Sequence, residues 1–217
     1  IAAGSSVAPS TLFVLFVYHA DPAISGRVNK VVSGRGSELP SVWVDFAKLV
    51  LDALQSLPAE RHVVFCGTQC RKTHFEKLLK LKDGDKIKWL GLPACTSDRL
   101  LAANCAMNGL SEDMCSVVYK VKAHSARSTG EFSDHPELQE VTLFSGARHP
   151  QLTQLRVVGL YRYTDLNAGR GARLPWSVSS LELNTLDWLQ PTKLQSAEAD
   201  SKTLSKLLVV VEEELPE

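Results

Sequence analysis

Helical periodicity in the first half of the chain and β-branched, turn-separated runs in the second predict an α+β protein with a largely antiparallel sheet. The composition agrees: 217 residues, 44% hydrophobic and 22% charged, suit one large domain or one domain with an appendage. Twenty-four Lys plus Arg balance 24 Asp plus Glu, so the formal charge is zero. That balance excludes nucleic-acid binding driven by phosphate contacts and binding to an anionic membrane surface, since both need a net basic field. Leu12 to Tyr18, the longest apolar stretch, is far below the ~20 residues of a membrane-spanning helix. No basic segment leads into an apolar core near Ile1, so no signal peptide is expected. Five scattered cysteines do not make a dense disulfide framework and point to a reducing, intracellular compartment.

Residues 1–10, small and polar, read as an N-terminal arm, and Leu12 to Val17 as a buried strand. Asp21-Pro22 opens a short helix with Ile24, Val28, Val31 and Val32 at helical spacing until Gly34. Pro40-Ser41 opens a clearer one: Val42, Phe46, Leu49, Val50, Ala53, Leu54 and Leu57 form one stripe, and Pro58 ends it. His62 to Gly67 reads as a strand, Phe75 to Leu81 as a brief amphipathic element, and Ile87 to Leu92 as another strand after the Asp83-Gly84-Asp85 turn. Ser97-Asp98 can cap a helix reaching about Met107, because their side-chain oxygens can accept from its first amides. Val117 to Val121, Glu140 to Phe144, Leu152 to Val158 and Leu160 to Tyr163 are strand-like. Residues 165–180 read as a linker, Leu181 to Leu189 as a strand or docking segment, and Ser201 to Leu215 as a helix or strand. The expected division is thus an arm (1–10), a domain (11–164), and a linker with a C-terminal extension (165–217).

Several patterns that carry chemistry elsewhere have plainer readings here. Cys66 and Cys70 are four apart, but a structural zinc site needs four ligands and no second pair follows at suitable spacing, so no metal is expected. Ser133-Asp134-His135 holds the residue types of a catalytic triad, yet triad members meet through the fold, and a turn explains them better. Gly34-Arg35-Gly36 and Gly169-Arg170-Gly171 lack the third glycine of a dinucleotide fingerprint and read as loops. Seven Lys or Arg between Arg71 and Lys88 read as a solvated face. Glu140, set before the apolar Val141 to Phe144, is the carboxylate best placed at the mouth of a sheet.

Five segments, in one order, carry a resemblance: Ser25 to Val32, the helix end Leu54-Gln-Ser-Leu-Pro58, Val63-Val-Phe-Cys-Gly67, Gly84 to Ser97, and Phe132 to Gly146. Together they resemble the mono-ADP-ribosyltransferase family from about Val17 to about Val158. The resemblance implies split antiparallel sheets that clasp NAD, N-terminal helices, and three sheet positions usually held by Arg, Ser and Glu. The match is divergent. Phe65-Cys66-Gly67-Thr68 stands where the family has an aromatic residue, Arg and Gly, and a thiol cannot hold a phosphate or ribose as guanidinium does. Gly91-Leu-Pro-Ala-Cys-Thr-Ser97 stands for the serine motif, with Ala94 at the first serine and Thr96 or Ser97 as substitutes. Leu138-Gln139-Glu140-Val141 keeps the final Glu, while Leu138 replaces the earlier one and Glu137 is displaced by a residue.

Under the resemblance Glu140 is the catalytic position, where a carboxylate bonding the ribose stabilises the oxocarbenium-like charge left as nicotinamide departs. Cys66, Gly67, Thr68, Ala94, Thr96 and Ser97 are then the cofactor-binding positions, and Glu137 and Leu138 the acceptor loop. Two functions follow: a degenerate domain with weak or no transferase activity that serves as a protein-binding or structural subunit, or an active NAD-dependent transferase acting on a protein substrate through Glu140.

Overall fold

The computed structural model describes residues 7–133, 136–144, 152–162, 192–193 and 206–213. Three helices come first. α1 (Pro9–Ala20) occupies the apolar run expected as a strand. A run of that length suits a buried helix as well as a buried strand, and Pro9 decides for the helix by sitting at its start, where no amide partner is needed. α2 (Pro22–Val32) is capped by the Asp21 carboxylate, which accepts from the Ala23 amide at 2.7 Å. α3 (Ser41–Ser56) lies between Pro40 and Pro58 and buries Ala47, Val50, Ala53 and Leu54. Val42 and Leu49, expected on that stripe, are 63% and 53% exposed instead. The three helices share one core with Leu92, Phe132 and Phe144.

β1 (Glu60–Arg71), α4 (Lys72–Leu79), β2 (Lys86–Leu90), β3 (Ala94–Thr96) and α5 (Arg99–Met107) follow, then β4 (Met114–Ser128), β5 (Glu140–Leu143), β6 (Leu152–Arg162), β7 (Thr192–Lys193) and β8 (Lys206–Glu213). As the sequence suggests, α5 begins at an Asp98 cap that accepts from the Leu100 and Leu101 amides at 2.7 and 3.3 Å. The seven basic side chains from Arg71 to Lys88 are all exposed.

The class is α+β, with helices against one eight-stranded sheet whose described pairings are antiparallel except β4 with β8. β4 pairs with β1 along most of its length and with β5 through its last residues, Ala126 to Ser128. β1 meets β3 at Phe65 and Thr96, and β3 pairs with β5, so β1, β3, β5 and β4 close a ring. In the other direction β8, β6 and β2 extend from β4, with β7 on β6. The two parts of the sheet share β4. Val64, Cys66, Cys95, Val117, Val141 and Leu143 lie in one buried cluster with Phe75 and Leu78 of α4.

The division at residue 165 needs correction at one point. Residues 206–213, read as part of an appendage, form β8 inside the sheet between β4 and β6. Within the apolar run Leu207 to Val211, Val209 and Val211 are fully buried, and the strand has neighbours on both edges. Residues 1–6, Asp134-His135, the Gly169-Arg170-Gly171 loop and Leu181 to Leu189 lie outside the described residues.

Gly67 fixes the distance between α5 and β1. A Cβ added there would fall 1.7 Å from the Ala102 carbonyl oxygen of α5, closer than any atom can come. Gly67→Ala should therefore push the helix outward and cost at least about 2 kcal/mol, lowering the melting temperature by roughly 5 °C or more; an unchanged melting curve would mean that α5 is not seated on this strand.

Candidate functional site

Residues directly opposite on paired strands point to the same face of a sheet. Phe65 is opposite Thr96, and Thr96 is opposite Glu140, so these three form one row across β1, β3 and β5. The three segments that the sequence aligned by their order are thus neighbours in space. Alternation then sends Cys66, Cys95 and Val141 to the other face, and all three are buried in the cluster that fills the ring. Cys66 therefore does not share a wall with Glu140. Which face Cys66 takes is set by the strand register.

The remaining expected residues divide by what they already do. Gly67 is occupied by the approach of α5. Thr68 is half-buried on β1 and Ala94 is exposed on β3. The Thr96 hydroxyl donates to the Leu138 carbonyl at 2.8 Å and accepts from the Asp98 amide at 3.0 Å, which joins β3, the turn before β5 and the cap of α5. Ser97 donates to the Gln139 side-chain carbonyl. Gln139 has φ +46°, a left-handed conformation that costs a non-glycine residue about 1–3 kcal/mol. It turns the chain from Pro136–Leu138 into β5 and delivers Glu140 at the first strand position. Glu137 and Leu138 lie in that turn.

One residue that the sequence reading missed meets Glu140 directly. His19 Nδ1, at the end of α1, is 3.0 Å from Glu140 Oε2; the two side chains are 5% and 23% exposed. The other imidazole nitrogen of His19 is buried without a hydrogen-bond partner. Tyr18, beside it, packs its ring edge-on at 4.8 Å. The Tyr18 hydroxyl accepts from Asn29 Nδ2 at 3.3 Å, and Asn29 Oδ1 accepts from the Leu92 amide at 2.6 Å. Gly91 adopts φ +91°, and a Cβ there would press to 2.8 Å from that same Asn29 oxygen. The last turn of α1 therefore joins α2, the β2–β3 connection and the carboxylate. Asp21-Pro22 in the sequence marks only the end of this turn; nothing local marks its distant partners.

Beside the β2–β3 connection an open hollow of about 340 Å³ is lined by Asn29, Lys30, Ser33, Arg35, Leu92 and Pro93. Lys30 and Arg35 bring positive charge near the segment expected as the serine motif. Among the described residues no group of three or more His, Cys, Asp or Glu could hold a metal ion, and no helix is long and apolar enough to cross a membrane.

The ring of β1, β3, β5 and β4 with helices ahead of it is a fold shared with ADP-ribosyltransferases of known structure. Solved structures agree. The chain resembles the ADP-ribosyltransferase Vis from Vibrio splendidus, solved with an inhibitor, at 13% identity and a TM-score of 0.62, covering 96% of this chain and 74% of that one. It also resembles the ADP-ribosyltransferase HopU1 of Pseudomonas syringae pv. tomato (13%, TM-score 0.58, 96% and 78% covered) and the Clostridium limosum C3 exoenzyme (11%, 0.53, 96% and 87%). No family profile and no curated protein sequence matches the chain. At such identities the likeness establishes the fold alone.

The geometry makes two measurable claims. His19→Ala and Glu140→Ala should each destabilise the protein, and a double-mutant cycle should return a coupling of about 1–2 kcal/mol; a coupling near zero would mean the contact contributes nothing. Burial pushes the Tyr18 hydroxyl up to about 12, with its Asn29 bond opposing and Glu140 adding to the rise. Unfolded tyrosine ionises near pH 10, so this stabilisation is complete below pH 10 and declines between pH 10 and about 12, by roughly 2–3 kcal/mol in all. Tyr18→Phe should flatten that part of the pH–stability curve measured by urea unfolding.

Proposed function

We propose that this chain is a degenerate ADP-ribosyltransferase-like domain that acts as a protein-binding or structural subunit, with weak or no transferase activity. The observation that carries the reading is the state of Glu140. The carboxylate that NAD chemistry would require is held by a buried histidine of α1, so its role is to fasten the helical layer to β5. Three further features support it. Cys66 replaces the arginine and points into the ring, Thr96 is spent on two hydrogen bonds within the chain, and Gly67 is filled by α5. A protein partner suits the apolar side chains left outside: Phe13 and Phe16 on α1 are 68% and 46% exposed, and Val42 and Leu49 on α3 are exposed as well.

A second reading rests on the row itself. Glu140 stands next to Thr96 and Phe65 in a fold shared with transferases, and Lys30 and Arg35 supply cations that Cys66 cannot. In that reading NAD binds and Glu140 stabilises the charge that develops on the ribose.

Calorimetric titration with NAD, followed by transfer of label from tagged NAD, separates the two. Under the first reading no heat of binding is seen at millimolar NAD, and wild type and Glu140→Gln both give background labelling. Saturable binding with labelling that falls about 10²–10³-fold in Glu140→Gln would establish the enzyme and end the structural reading.

A further inference from the structure

We propose that Cys70 and Cys115 form a redox-modifiable pair that closes to a disulfide by exchange with a low-molecular-weight disulfide. Cys70 is the next-to-last residue of β1 and Cys115 the second of β4, and the two are directly opposite in the antiparallel pairing. Opposite residues point to the same face with Cβ atoms about 4.5–5.5 Å apart. A disulfide needs about 3.5–4.5 Å. Closing the gap asks for a movement of about 1 Å where the two strands end, the part of a ladder best able to give.

Accessibility selects this pair. Cys70 is half-buried and open to a dissolved reagent, whereas Cys115 is 2% exposed. Cys66 and Cys95 are both buried inside the ring, and Cys105 is exposed on α5. Cys66 and Cys70, on one strand, are about 13 Å apart along it and cannot bond to each other.

The exchange has two steps. The Cys70 thiolate attacks one sulfur of the reagent, forming a mixed disulfide and expelling one thiolate. The Cys115 thiolate then attacks the Cys70 sulfur and expels the second. Two protein thiols lose two electrons and two protons, and one reagent disulfide becomes two thiols. Burial, and after it the neighbouring Cys115, pushes the Cys70 thiol up to about 11, so the first step is slow near neutral pH and the bond, once made, is not rapidly cycled. The product would staple β1 to β4 and close a loop of about 45 residues holding α4, β2, β3 and α5. The inference holds whichever role Glu140 has.

The test incubates the full chain for hours with oxidised glutathione at pH 8.5, alkylates the remaining thiols, and digests with trypsin without reduction. Peptides 62–71 and 100–120 should be joined, fragmentation should place the bond on Cys70 and Cys115, and the melting temperature should rise by about 5–10 °C, reversed by dithiothreitol. Cys70→Ser should melt at the same temperature with and without oxidant, and Cys115→Ala should keep glutathione trapped on Cys70. A lasting glutathione adduct on wild-type Cys70, both thiols recovered alkylated, or a bond to any other cysteine overturns the proposal.

Discussion

β4 is the strand on which every other part of the sheet depends. Its fifteen residues are shared between β1 on one edge and β8 then β5 on the other, so it belongs to the ring and to the extension alike. Its own side chains reflect this. Val117, Val118, Val121, Ala123 and Ala126 are buried on alternate and successive positions, because both faces are covered. The bend of the sheet that closes the ring follows from β5 taking over β4's edge where β8 leaves it. Glu140 is at the first position of β5, and its place in space is set by that handover.

The same pairing gives the site its polarity. With β1, β3 and β5 in fixed register, period-two alternation allows no compromise: the row of Phe65, Thr96 and Glu140 faces α5 and α1, and what stands one residue away joins the cluster that includes Phe75 and Leu78 of α4. His19 and Glu140 meet on the outward side, in a setting shielded enough for the contact to matter. A contact between side chains only 5% and 23% exposed competes little with water. The strained Gln139 that precedes the carboxylate is held by Ser97 through its side chain, and Thr96 holds the neighbouring Leu138 carbonyl. Thr96 and Ser97, two of the residues expected to bind a cofactor, fasten the turn that presents Glu140.

Much of the fold was legible because its signals are local. The α3 boundaries follow from two prolines, the start of α5 from Asp98, and β1 from a β-branched run. α1 was not, since an apolar run of seven residues has no period that separates helix from strand, and its covering comes from elsewhere in the chain. The convergence of Phe65, Thr96 and Glu140 could be inferred from the order of the text. The inward turn of Cys66 could not, because facing depends on strand register, and His19 could not, because its partner lies on the far side of the sequence.

The place of β8 bears on how the chain comes to be assembled. Among the described strands it alone joins β4 to β6, and it is the last of them to be synthesised. Until it leaves the ribosome, β6 with β2 and the ring around β4 are two separate pieces, each presenting a bare hydrogen-bonding edge. Nascent chains of this protein are therefore most exposed to pairing with one another just before β8 emerges, which makes that interval the one in which a chaperone would have most to shield.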